Sequence, residues 1–146
     1  MTPFQLANSI LETVVCALDN PPATAFAQVG TQVVDCESLI VAVTSLDKSA
    51  LPNCDCGRVT VIVTLARDCA NESNPDGTNN LEVISSVSEQ IDEDGASLRA
   101  VGQEYVESEW SVGWTIEGGI AITSLQLTMP MPCTDGAGYG LSNCCG

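Results

Sequence analysis

Eight cysteines and one acidic triplet are the residues of this chain whose types and spacing point to chemistry. The cysteines are Cys16, Cys36, Cys54, Cys56, Cys69, Cys133, Cys144 and Cys145, and the triplet is Asp92-Glu93-Asp94. Cys54, Cys56 and Cys69 flank one alternating apolar stretch, so Cys36 or Cys133 would complete four thiolates around zinc. Structural zinc sites are usually built on CxxC knuckles, and CxC is a weaker signature. Cys144 and Cys145 are neighbours; a bond between them would be strained, and a bridge between subunits suits them better. The N-terminal residues lack a basic region and an apolar block, so no export signal is expected. The cysteines are therefore expected as free thiols in a reducing cytoplasm, with a disulfide in the finished assembly and a zinc site as the lesser alternatives. Adjacent acids on a helix point different ways, whereas calcium asks for about six to eight oxygens from a wrapped loop. The triplet reads as a solvated helix face.

The sequence contains no histidine. That removes Ser-His-Asp and Cys-His catalysis and the histidine-bearing zinc sites. It has no GxxxxGK[ST] and no GxGxxG after a strand. The glycines from Gly136 to Gly140 open no helix and are not read as a phosphate cradle. We expect no catalytic, cofactor-binding or metal residue and no enzymatic activity. Net charge is −15, from 19 acids against Lys48, Arg58, Arg67 and Arg99. Four cations cannot neutralise a run of phosphates, so specific nucleic-acid binding is not expected. Acids in such excess keep a protein soluble and repel polyanions. No run is long enough for a membrane span. The 146 residues, 45% of them hydrophobic, suffice for one domain with a sizeable core.

The longest element expected is an amphipathic helix over residues 81–106, about 39 Å long if unbroken. Its apolar stripe is Ile84, Val87, Ile91, Leu98, Val101 and Tyr105, with a missing beat at Asp94–Gly95 where Gly95 could kink or split it. A first helix is expected over residues 3–18. Thr2 and Gln5 form a capping box, Pro3 suits the first helical position, and Asn20-Pro21-Pro22 stops it. Its stripe is Phe4, Ala7, Leu11, Val14 and Leu18, widened by Leu6, Ile10 and Val15. Strands are expected over 26–29, 31–36, 39–44 and 58–66. In the last, Val59, Val61, Val63 and Leu65 share one face. After the long helix come strands 110–116 and 120–129, joined at Glu117-Gly118-Gly119. A bulge at Thr123–Ser124 would bring Ile120 and Ile122 to the face of Leu125, Leu127 and Met129. Val61, Val63, Ile91, Leu98 and Leu127 are expected to be buried together. The fold class is α+β: a mainly antiparallel sheet of four or more strands with two helices packed on one face. Residues 1–132 form one domain, and residues 133–146 a Gly- and Cys-rich tail.

The opening TPFQLANSILETVVCALDNPP, the strand ending RVTVIVTLARDC, the acidic helix and the closing GGIAITSLQLTMPMP resemble the tail terminator proteins of long-tailed (siphovirus) bacteriophages, most closely those in phages of actinobacteria. The resemblance covers residues 1–132 and carries no catalytic signature. It implies a virion protein at the neck: an α/β subunit assembling as a homo-oligomer, a hexameric ring. The ring caps the major tail tube protein, stops its polymerisation, and docks the head-tail connector (stopper) on its other face. The resemblance carries nothing onto residues 47–57 and 133–146; loops 47–57 and 67–80 and the tail after Pro132 are candidate contacts to the tube because flexible segments can adapt to a partner. The genome would pass through a predominantly negative lumen without specific binding. The alternatives are another neck protein, either a stopper or an adaptor, and a disulfide-rich secreted binding module.

Overall fold

The computed structural model describes residues 2–30, 37–47, 57–68, 81–105, 107–117 and 120–131. The first helix, α1 (Pro3–Ala17), begins as its sequence dictates. The Thr2 hydroxyl accepts from the Gln5 amide at 3.2 Å, and the Gln5 side-chain oxygen accepts from the Thr2 amide at 2.8 Å. Two of the orphan donors at the helix start are thereby satisfied. Leu18 ends it in extended conformation, its N–H reaching the Val14 carbonyl. Leu6, Ala7, Ile10 and Val14 are its buried residues. The inward face is thus rotated from the expected stripe, and Phe4 is exposed.

Five strands follow the order β1-β2-β3-β5-β4: β1 (Thr24–Val29), β2 (Ser38–Asp47), β3 (Arg58–Asp68), β4 (Glu109–Glu117) and β5 (Ile120–Pro130). Between β3 and β4 lies α2 (Leu81–Glu104). The class is α+β with a mixed sheet. Three of the four pairings are antiparallel, but β1 runs parallel to β2, with Ala25 opposite Leu39 and Ala27 opposite Val41. Apolar alternation has no direction, so the sequence pattern gave no sign of this pairing. β3 and β4 are both antiparallel to β5 and hence parallel to each other. They flank β5, and α2 is the crossover that joins them. At the other end of β3, Gly57 adopts φ +98°, a conformation that costs glycine little. Its carbonyl accepts from the Met131 amide at 2.7 Å and holds the end of β5. The expected strand over 31–36 and the loop and tail cysteines lie outside the described residues.

Buried residues of both helices join Leu39, Val41, Val43, Val59, Val61, Val63, Leu65, Leu125, Leu127 and Met129 in one cluster. Strand parity puts these sheet residues on one face. α1 packs against β1 and β2, α2 against β4 and β5, and the helices touch each other. Three expectations are corrected here. β5 has no bulge: its register with β3 and β4 is unbroken, so Ile120 and Ile122 face away from Leu125 and Leu127. The single bulge of the described pairings lies in β2, between Val43 and Ser45. A bulge in β5 is unnecessary because the second face is also apolar and buried around Ile40, Ala42 and Ala66, and Ile122 pairs with Ala66 on that side. Ile91 is only half-buried and outside the cluster, although Val61, Val63, Leu98 and Leu127 are in it. Finally, α2 is continuous through Gly95. No described helix is long and apolar enough to cross a membrane.

Helix α2 lies close against β4 at Gly102. A Cβ there would stand 2.6 Å from the Trp110 ring. We expect Gly102→Ala to destabilise the fold by about 1–3 kcal/mol through overpacking, although alanine is the better helix former. Leu98 is fully buried, so Leu98→Ala is expected to cost about 2–5 kcal/mol. Urea midpoints at constant m-value measure both, and wild-type midpoints would refute the packing described.

Candidate functional site

The acidic triplet is divided by the fold. Asp92 and Glu93 are exposed, as a solvated face requires, but Asp94 is 2% exposed. Its carboxylate accepts from Arg67 Nε at 3.1 Å and Nη2 at 3.0 Å, a two-point pair, and from Gln90 Nε2 one turn earlier at 2.9 Å. Arg67 Nη2 also donates to the Asn20 carbonyl at 2.8 Å, just beyond α1. One guanidinium therefore ties the end of β3 to the middle of α2 and to the segment leaving α1. The planar fork of arginine matches a carboxylate at two points, which lysine cannot do. The sequence reading missed this pair, although two signals for it were present. Arg67 continues the inward parity of Val59, Val61, Val63 and Leu65, and Asp94 falls in the missing beat of the α2 stripe. Both partners are filled by structure, and the pair is a positioning device.

A groove of about 580 Å³ lies between the first half of α2 and β4. Ile84, Val87 and Ile91 of α2 face Val112, Trp114 and Ile116 of β4 across it. Its polar margin is Ser88, Glu89, Asp92 and Arg99. The expected α2 stripe is thus real but shared. Leu98 and Val101 enter the core, while Ile84, Val87 and Ile91 stay half-buried beside the edge strand. The groove offers apolar surface with a few orienting polar groups, the composition of a binding surface.

Of the cysteines, Cys16 is exposed and free, beside Glu12, Thr13 and Glu104 in a shallow cleft. The other seven lie outside the described residues, as do most of loops 47–57 and 67–80 and the tail after Pro132. Among the described residues no three His, Cys, Asp or Glu side chains gather as metal ligands would. Neither protein-family models nor curated proteins give a match to this chain.

Removing the Asp94 carboxylate strands a largely buried guanidinium. Asp94→Ala is expected to cost about 3–5 kcal/mol, whereas Arg67→Met with Asp94→Leu, which removes both charges, is expected to recover most of that loss. A double-mutant cycle on urea midpoints measures the coupling, and additive single losses would show that the pair contributes nothing beyond its parts.

Proposed function

We propose that this chain is a structural virion protein that acts without catalysis. It forms a ring, of six copies, that caps the tail tube of a long-tailed phage, stops tube polymerisation and makes the joint to the head connector. The observation that carries the reading is the order of elements. A capped helix, a strand series, a long acidic helix and a closing two-strand return occur in the sequence order that resembles the tail terminators. A tube grows because each ring exposes the surface that the next ring binds. A terminator matches that surface on one side and lacks it on the other, which is a task for surface shape and not for a reactive group.

The charge distribution supports the same reading. Arg67 is withdrawn into its pair with Asp94, so among the described cations Arg58 and Arg99 are the exposed ones. A ring of subunits each carrying −15 presents a predominantly negative wall, along which DNA passes without arrest. In an infected host lacking the protein, full heads are expected to remain unjoined to tails, and tails to be of irregular or excess length. Electron micrographs of lysates check both. Heads joined to tails of normal length would refute the terminator reading and leave a neighbouring neck role in its place.

A further inference from the structure

The groove between α2 and β4 leaves Trp114 64% and Ile116 38% exposed. Strand β4 has two unlike faces. Trp110, Val112, Trp114 and Ile116 share the parity that faces the helices, and Ser111, Gly113 and Thr115 share the other. Among the described residues β4 also ends the sheet on its side, so its outer main-chain groups have no described strand to pair with. The described chain stops at Met131, three positions past the pairing of Thr128 with Glu109, with its amide held by the Gly57 carbonyl. Fifteen residues follow in the sequence. Among them Tyr139 and Leu141 are the large apolar side chains, two positions apart, and Gly138, Gly140 and Ser142 alternate with them. From Gly136 onward no side chain is charged.

We propose that this C-terminal segment docks on its own copy: it runs along the outer edge of β4 as an added strand and places Tyr139 and Leu141 in the groove beside Trp114 and Ile116. The inference does not rest on the ring reading. The two-residue patterns match. An added strand gains affinity from main-chain hydrogen bonds and specificity from pockets for alternate side chains. Here the apolar pair falls on the side of Trp114, and the glycines and Ser142 fall on the side of Ser111, Gly113 and Thr115. Charge permits the contact. The groove margin carries Glu89 and Asp92, which repel most of a chain of net charge −15 but not an uncharged segment. Length permits it as well. From Met131 to the level of Trp114 is about 27 Å at the usual strand rise, and the ten residues from Pro132 to Leu141 reach about 33–36 Å when extended. A tether this short holds the segment at roughly millimolar effective concentration, which favours its own groove over that of another copy. The other candidate segments fit less well. Residues 69–80 adjoin the groove in sequence but contain no Val, Leu, Ile, Met or aromatic residue and carry two acids. Residues 31–36 join β1 to β2, at the opposite margin of the sheet, and residues 48–56 join β2 to β3, which β5 separates from β4.

Photocrosslinking of the full chain tests this, with photoreactive benzoylphenylalanine in place of the exposed Trp114. Denaturing gels separate links within one copy from links between copies, and peptide mass spectrometry locates them. The expected product has the mass of a single chain and is linked to residues 137–143. Links into the tail that appear only at the mass of two chains overturn docking on the same copy. Links that miss the tail, or no link at all, overturn the docking itself. Acrylamide quenching of tryptophan fluorescence gives a second readout on the natural side chain. Trp114 should be protected in the wild type at every dilution, and that protection should be lost in the double variant Tyr139→Ser, Leu141→Ser. Circular dichroism melts check that the variant stays folded. Equal quenching of variant and wild type, or protection that vanishes on dilution, overturns the proposal.

Discussion

The contact between Arg67 and Asp94 is the constraint on which the arrangement of the chain turns. It lies where β3 ends, at the midpoint of α2, and beside the segment that leaves α1. Those are the three parts that must agree before the sheet and helices can share one core. A charge pair in such a place is not a strong source of stability in itself, because desolvation offsets most of the Coulombic attraction. Its effect is selective. Any packing of α2 that moves Asp94 away from Arg67 leaves a buried guanidinium without its partner, and a sliding helix would do that within one turn. Apolar contacts tolerate small slips along a helix; a two-point pair does not.

Once α2 is fixed at Asp94, its two halves acquire different surroundings. Towards the C-terminus Leu98 and Val101 enter the core, and Gly102 allows the Trp110 ring against the helix backbone. Towards the N-terminus the same apolar stripe continues through Ile91, Val87 and Ile84. There the sheet has reached its edge strand, and β4 is the last described strand available to cover the stripe. The groove is the result of a helix whose apolar face is longer than the core beneath it.

Much of this architecture was legible in the sequence because local physics decides it. Thr2 and Gln5 cap α1 as their spacing requires, and the parity of Val59, Val61, Val63 and Leu65 places β3 in the core. What the sequence did not reveal is set by neighbours. Ile91 looks identical to Leu98 in the helical pattern, and only the position of the sheet edge separates them. The expected bulge in β5 came from assuming that the sheet has one apolar face. Ile40, Ala42 and Ala66 are buried on the other, so Ile122 belongs there without a break in register. The direction of β1 has no trace in a two-residue period. Asp94 was read as solvated because adjacent acids normally are, and its burial is visible only once Arg67 is seen on the inward parity of β3.

The acidic composition constrains how copies of this chain can approach one another. Repulsion from a net charge of −15 acts between copies in every orientation, and it opposes nonspecific association at low ionic strength most strongly. Attraction must then come from surfaces that shed water without carrying acids along. On the described chain the groove between α2 and β4 offers such apolar surface, lined by Ile84, Val87, Ile91, Val112, Trp114 and Ile116. In the ring proposed above, charge discriminates between contacts and apolar burial secures the permitted one.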